Sequence, residues 1–157
     1  PPLKLKYRGL GELSVFLAWG PLMAFGSMLA STGIINYMVA LVSVPAALLV
    51  VATLYANNVR DIERDRDKGA YTLAVMLGRN AKWLYVALLL GTYTVQVILI
   101  LLNLLPIYTV ITIALTPLMA RMLRRAVNNS FEHLDEATSL YSLAYAALLI
   151  VGLMIKL

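Results

Sequence analysis

Long apolar runs alternate with short polar segments along this chain. Most of these runs come close to or reach the roughly 20 apolar residues that a membrane-spanning helix needs. They lack the polar stripe that a surface helix of a water-soluble domain carries. The pattern predicts an all-α, polytopic transmembrane helix bundle. The five predicted spans are residues 13–31, 34–56, 83–102, 107–119 and 138–155.

Two of the remaining segments differ sharply from the spans. Residues 1–12 are basic and rich in Pro and Gly, which is typical of a loop. Residues 57–82 hold the densest concentration of charge in the chain. We therefore expect a basic loop before the first span and an aspartate-rich loop between the second and the third.

The composition narrows the class of protein. Hydrophobic residues make up 61% of the 157 residues and charged residues 13%, about half of the roughly 25% that is usual in soluble proteins. This balance excludes disorder and makes a soluble domain a poor interpretation. The absence of cysteine excludes disulfides and thiolate metal sites. The net charge of +5 indicates basic loops at one membrane face before it indicates nucleic acid, and we expect no nucleic-acid partner.

The charges predict an orientation in the membrane. With five spans, the segments 1–12, 57–82 and 120–137 share one side, which carries 12 of the 13 Lys and Arg residues. The positive-inside rule makes that side cytoplasmic. All eight acids also lie there, although orientation does not require them, so we expect chemistry at this face. The acids are Glu12, Asp61, Glu63, Asp65, Asp67, Glu132, Asp135 and Glu136.

An oxygen-rich motif directly continues the second predicted span. If the helix persists, Asn57, Asp61 and Asp65 share one face at a spacing of four residues, and Asn58 lies beside them. Carboxylate and amide oxygens suit Mg²⁺, which commonly binds through one or two carboxylates plus substrate phosphates. The motif thus favours a site where metal bridges a phosphorylated substrate.

The neighbouring cations leave two interpretations open. Arg60, Arg64 and Lys68 can neutralise phosphate oxygens directly. Alternatively, this is a solvated segment whose opposite charges pair at helical spacing. Like charges also stand four residues apart here, which is mildly destabilising without a counter-ion and counts against a purely structural role.

The stretch NNVRDIERDRDKGAYTLAVMLGR resembles the second aspartate-rich motif of the UbiA superfamily of intramembrane prenyltransferases. It is most similar to the branch that makes menaquinone from 1,4-dihydroxy-2-naphthoate. The loop PPLKLKYRGLGEL resembles that branch's connection between the fourth and fifth helices, where Lys4 matches the lysine of a Tyr-x-x-x-Lys element. The resemblance implies that residues 1–157 are the C-terminal part of one nine-helix prenyltransferase domain.

The resemblance implies a transferase that moves a polyprenyl group from its diphosphate to an aromatic acceptor. Asp61 and Asp65 would be catalytic and would hold one of two Mg²⁺ ions, with Asn57 or Asn58 completing the shell. The other ion would belong to a first motif, Asn-Asp-x-x-Asp-x-x-x-Asp, in an N-terminal half that this chain lacks. We therefore expect the chain alone to be inactive.

The same resemblance implies the partners. The diphosphate would be bound by four cations, and its apolar tail would lie among helices embedded in a lipid bilayer. These cations are Lys4, Arg60, Arg64 and Lys68. The start at Pro1-Pro2, without an initiator Met, is interpreted as that of a piece of a longer protein.

Other functions stay open at this point. Relatives in the superfamily use 4-hydroxybenzoate, glycerol phosphates or haem as acceptors, and no residue here selects among them. A transporter or channel fragment is a different class, but it predicts ionisable residues inside the spans, where this sequence has none. A scaffold subunit is a third class.

Overall fold

Helices make up most of the chain that the structure, a computed structural model, describes, which is residues 8–155. Within that range there is no β-strand, only an isolated parallel bridge between Arg8 and Tyr71. Helices satisfy their own backbone groups, as a bilayer demands. The helices in chain order are α1 Gly11–Leu17, α2 Met23–Thr32, α3 Met38–Val42, α4 Val44–Arg60, α5 Ile62–Asp67, α6 Leu73–Leu77, α7 Ala81–Leu101, α8 Thr116–Val127 and α9 Leu134–Met154.

Four continuous helical stretches are long and apolar enough to cross a membrane. They lie over four of the five predicted spans, which confirms the all-α bundle and makes this a multi-pass membrane protein. The stretches are Gly11–Thr32, Leu73–Leu101, Ile107–Val127 and Leu134–Met154.

The second predicted span, residues 34–56, is not among these four stretches. It is divided into α3 and α4, which meet at Ser43. Pro45 explains the division, because it has no N–H to donate to the carbonyl of Leu41. Helical bonding continues around it, since the Ser43 carbonyl accepts from the Ala47 N–H at 3.0 Å. The second predicted span is therefore formed by α3 and α4 in succession, and α4 continues past it to Arg60.

The first stretch contains a π-helical turn at Ala18–Leu22 that joins α1 to α2. Pro21 lies within this turn, where it removes one backbone donor. Gly20 is buried, and a Cβ added there would meet the Cβ of Ala47 at 2.4 Å. The absence of a side chain thus lets this turn pack directly on α4, as small residues do between membrane helices.

A 3₁₀ helix at Ile107–Leu115 precedes α8. Its geometry satisfies carbonyls less well than an α-helix does, and polar side chains from α7 compensate. Gln96 donates to the Thr109 carbonyl at 2.8 Å, and the Tyr93 hydroxyl donates to the Thr112 carbonyl at 2.8 Å. Gly152 of α9 packs against the same segment. A Cβ added to Gly152 would lie only 2.7 Å from the Thr109 Cα.

Helix α4 lies at the centre of the bundle, packed against α1, α7 and α9. The largest buried side chains are tyrosines, among them Tyr55, Tyr85, Tyr141 and Tyr145. Large apolar residues such as Leu143, 69% exposed, cover the outside. Apolar side chains facing outward suit a surface surrounded by lipid.

The C-terminal ends of α4 and α8 meet the N-terminal ends of α1, α7 and α9. Three contacts fix this meeting: Asn58 with Glu12 at 2.9 Å, Arg60 with Asp135 at 2.7 Å, and Lys82 with the Val127 carbonyl at 3.0 Å. We call this region the polar end of the bundle.

Candidate functional site

The oxygen-rich motif lies where α4 leaves the bundle at its polar end. The helix breaks at Asp61, whose φ of −96° and ψ of 13° separate α4 from α5. Backbone bonding nevertheless continues through the break. The Asp61 N–H donates to the Asn57 carbonyl at 3.1 Å, and the Asp65 N–H donates to the Asp61 carbonyl at 2.8 Å. The four-residue spacing predicted for these side chains is therefore kept.

Asp61 is held by two guanidinium groups. Its Oδ1 lies 3.3 Å from Arg60 Nε, and its Oδ2 lies 2.6 Å from an Arg64 nitrogen. The Asp61–Arg64 pair, three residues apart, is of the kind that the structural interpretation predicts; Arg60 and Asp61 are neighbours in sequence. Arg64 is 65% exposed while Asp61 is 13% exposed, so the carboxylate is set in the protein and the Arg64 group lies in solvent.

Arg60 joins α4 to the start of α9. It donates to Asn57 Oδ1 and, at 2.7 Å, to Asp135 Oδ2. The hydrogen bond that Arg60 donates to the Asp135 carboxylate raises the pKa of the Arg60 guanidinium above its ordinary high value, so this group stays positive at any physiological pH. The other carboxylate oxygen of Asp135 is buried and has no hydrogen-bond partner among the described residues.

Asn58 makes its side-chain hydrogen bond to α1, whereas Asp61 pairs with Arg60 and Arg64. Asn58 is 3% exposed, and its Nδ2 donates to the carboxylate of Glu12, itself 6% exposed. The Asn58 carbonyl oxygen is buried and also has no hydrogen-bond partner in the part of the chain that is described. The motif therefore contains one amide whose oxygen is available to a ligand.

The remaining predicted site residues divide by exposure. Asp65 is buried, at 4% exposure, within α5. Lys68 is exposed at the end of the same helix. Lys4 lies outside the described residues. The structure thus gathers Asn57, Asn58 and Asp61 at the polar end, and it leaves Lys68 on the surface.

Two cavities flank Asn57. One, of about 320 Å³, lies between α1 and α4; its polar lining includes Glu12, Asn58 and Thr72. The other, of about 530 Å³, lies between α4 and α9 and is lined in part by Asp135. Each cavity opens beside a buried oxygen that lacks a partner, which makes both of them candidate binding sites.

The donor set determines which metal these residues can hold. It consists of carboxylate and amide oxygens, the ligands of hard cations such as Mg²⁺. No group of three or more His, Asp or Glu residues that could hold a metal occurs between residues 8 and 155. The residues therefore fit an ion that keeps waters and takes substrate phosphates, and they do not fit a cage made by this chain alone.

Sequence analysis did not single out Glu12 or Asp135 as contacts of the motif. Both stand at the first turn of a span, Glu12 in α1 and Asp135 in α9. The available signal for such a contact was an acid in the first turn of an apolar helix, because its side chain can reach a neighbouring helix of the bundle. The exposed Glu132 and Glu136 show why that signal is weak, since they belong to the same acidic segment.

The UbiA prenyltransferase family model matches residues 2–144. A UbiA prenyltransferase domain-containing protein 1 from Dictyostelium discoideum is 31% identical over 157 residues, which is 99% of this chain and 47% of that protein. A 1,4-dihydroxy-2-naphthoate octaprenyltransferase from Bacillus subtilis is 36% identical over 97 residues, which is 62% of this chain and 30% of that protein.

The human UbiA prenyltransferase domain-containing protein 1 is 36% identical over 95 residues, covering 60% of this chain and 28% of the human protein. No solved structure matches significantly. The chain thus spans half or less of the length of these curated relatives. The family predicted from the motif is confirmed: this chain belongs to the UbiA prenyltransferase family.

Proposed function

We propose that this chain forms the C-terminal part of a membrane-embedded prenyltransferase that moves a polyprenyl group from its diphosphate to an aromatic acceptor. The observation that carries the proposal is the family match over residues 2–144 together with the cluster of oxygen donors and guanidiniums at the polar end. An N-terminal segment would supply the first aspartate-rich motif, so residues 1–157 alone would be inactive.

The basic side chains account for binding of the diphosphate. Arg60 is fixed by Asn57 and Asp135, so it presents charge in a constant position. Arg64 is exposed, and its pair with Asp61 costs at most about 1 kcal/mol to break, as for other surface ion pairs. A diphosphate can therefore draw Arg64 away from Asp61. Lys4 and Lys68 would add further charge.

The acids account for the metal requirement that we propose. Asp61 and Asp65 would hold Mg²⁺ with Asn57 or Asn58. When bound, the ion would neutralise the diphosphate and make it a better leaving group. The chain's own contribution is to exclude water from the allylic cation, because the helices beneath the polar end are packed and apolar. As the carbon–oxygen bond to the diphosphate breaks, the acceptor ring would form the new carbon–carbon bond. Its aromaticity would return as the substituted carbon releases a proton, or carbon dioxide where that carbon carries the carboxylate.

The acceptor we favour is 1,4-dihydroxy-2-naphthoate, as in menaquinone biosynthesis. The similarity to the Bacillus subtilis enzyme of that name supports it over 97 residues. The alternatives to this acceptor are 4-hydroxybenzoate, glycerol phosphate and haem. No contact within residues 8–155 favours a transporter fragment.

The test is prenyl transfer by the full-length protein in membranes. With a polyprenyl diphosphate and Mg²⁺, we expect prenylated naphthoate and little product from 4-hydroxybenzoate. Removal of Mg²⁺ with a chelator should abolish transfer, and its return should restore it. Transfer that prefers another acceptor would revise the substrate, and no transfer to any of the four acceptors would overturn the enzyme assignment.

We also propose that the polar end faces the cytoplasm, because the loop cations concentrate there. The chain has no cysteine, so single cysteines can be labelled without background. Arg66→Cys should react only with a reagent that reaches the cytoplasm, and Asn103→Cys only with one outside; both positions are exposed. The reverse pattern would contradict the proposed orientation.

A further inference from the structure

Glu12 is a buried acid that the mechanism above does not use. It lies in the first turn of α1 at 6% exposure. Burial of a carboxylate is unfavourable unless a partner compensates it, and the partner is Asn58 Nδ2, at 2.9 Å and 46 residues away in sequence. A contact over such a separation ties the first helix directly to the oxygen-rich motif.

The chemistry of this contact is asymmetric. A carboxylate only accepts hydrogen bonds, whereas an amide has one donating end and one accepting end. Glu12 therefore requires the donating end of Asn58 to face α1. The accepting end, Oδ1, must then face away from Glu12, and it is this atom that is buried without a hydrogen-bond partner in the described part of the chain.

Burying a hydrogen-bond acceptor without a partner reduces the free energy of unfolding. A binding partner that enters the neighbouring cavity would offset this cost. Asn58 lines the cavity of about 320 Å³ between α1 and α4, together with Asn57 and Thr72. The Thr72 hydroxyl oxygen accepts from the Val75 N–H at 3.3 Å, and among the described residues no donor, Thr72 included, reaches the Asn58 oxygen. Asn58 thus lines this cavity with an amide whose oxygen has no hydrogen-bond partner among the described residues.

We infer that Glu12 is a positioning residue that fixes the Asn58 amide with its carbonyl oxygen presented to a divalent cation. This inference rests on the proposed function, which places Mg²⁺ at this motif. Without Glu12, the amide can turn over and present its NH₂ group, which no cation binds. Glu12 itself acts through Asn58 and needs no contact with metal or substrate.

The first test measures metal binding without turnover. Mn²⁺ binding to the purified full-length protein is followed by electron paramagnetic resonance, and Mg²⁺ affinity by competition. Glu12→Gln keeps the shape of the side chain but removes its acceptor-only character. We expect the dissociation constant to rise about tenfold or more, as for other residues that orient metal ligands.

The matched control is Glu63→Gln, which removes the same charge from an exposed position of α5. It should leave the dissociation constant within about twofold of the unsubstituted protein, since exposed charges are screened by salt. Equal affinities for Glu12→Gln and Glu63→Gln would overturn the inference while leaving the proposed function intact.

A double variant provides the decisive measurement. In Glu12→Gln with Asn58→Asp, the amide at position 12 donates to one carboxylate oxygen at position 58, and the other oxygen remains for the cation. Affinity should return to within about threefold of the unsubstituted protein, because the hydrogen bond is merely reversed. A role in packing alone predicts that Asn58→Asp changes the affinity by the same factor whether Glu or Gln stands at position 12, which the Asn58→Asp single variant measures.

The outcomes separate the two claims. If the unsubstituted protein binds no Mn²⁺, the proposed metal site fails and this inference fails with it. If it binds and the double variant is still weakened tenfold or more, only the inference fails. Should Glu12→Gln alone not fold, as judged by its melting temperature, the double variant decides by the same threshold.

Discussion

The polar end and the bundle interior both bury polar side chains, but they treat them differently. In the interior, Gln96 uses its whole amide: it donates to the Thr109 carbonyl and accepts from Thr112 at 3.1 Å and Tyr145 at 2.8 Å. At the polar end, Asn58 uses only its donating half. The same functional group is structural in one place and available to a ligand in the other.

This difference separates stability from activity. A satisfied network rigidifies a core, and losing it reduces the free energy of unfolding. A group left unsatisfied adds nothing to stability until a ligand arrives. Substitutions in the interior should therefore reduce folding with little effect on the activity of the folded fraction, and those at the polar end should do the reverse.

The largest expected effect is on activity. Asp61→Asn removes the charge at the break between α4 and α5, and kcat for prenyl transfer should fall roughly 100- to 1000-fold, as for other groups that stabilise transition-state charge. The melting temperature should change little, because Arg60 keeps its contacts with Asn57 and Asp135.

The control for that variant is Asp67→Asn, an exposed acid six residues farther along the chain, which should retain normal kcat. Full activity in Asp61→Asn would remove Asp61 from the catalytic site. It would then favour the interpretation in which its pairs with Arg60 and Arg64 are only structural.

An intermediate effect is expected in the interior. Gln96→Leu breaks three hydrogen bonds and should reduce the free energy of unfolding by about 1–2 kcal/mol, since each such bond contributes roughly 0.6 kcal/mol in a membrane bundle. Unfolding in detergent micelles measures the loss, and kcat per folded molecule should not change.

Thr94→Val is the matched control on the same helix. Its hydroxyl donates to the Leu90 carbonyl at 3.1 Å on an exposed face, so its removal should be nearly neutral. If Gln96→Leu instead lowered kcat without destabilising the protein, the interior network would belong to the reacting site, and the contrast between the two regions would be wrong.

The smallest expected effect is at Arg64. Arg64→Gln should raise KM for the polyprenyl diphosphate by about fivefold, the equivalent of the 1 kcal/mol that an exposed ion pair contributes at most. Neither kcat nor the melting temperature should move. The control is Arg66→Gln, because Arg66 is also exposed on α5. If the two variants had the same KM for the polyprenyl diphosphate, Arg64 would have no part in binding it.

Much of the architecture was predictable because span length and apolarity determine it. The spans at 13–31, 83–102 and 138–155 follow from hydropathy, since lipid imposes the same requirement on every spanning helix. Hydropathy does not distinguish helix types, which is why the 3₁₀ geometry of Ile107–Leu115 was not foreseen. Nor does it locate a bend such as the one at Ser43, although Pro45 offered a local signal.

The candidate site was predictable only where its residues are neighbours in sequence. Spacing placed Asn57 and Asp61 on one helical path, and the backbone keeps them there. Spacing says nothing about partners from other helices. Glu12 and Asp135 each belong to a group of acids that could pair with many cations, and only packing selects Asn58 and Arg60 for them.

The pair between Arg60 and Asp135 has a consequence for biosynthesis. The two residues lie 75 positions apart, so Asp135 leaves the ribosome roughly 4–15 seconds after Arg60 at synthesis rates of about 5–20 residues per second. During that interval α9 has not entered the membrane and Arg60 lacks its strongest partner. The polar end therefore reaches its final arrangement only when α9 inserts, even if the helices before it have already packed together.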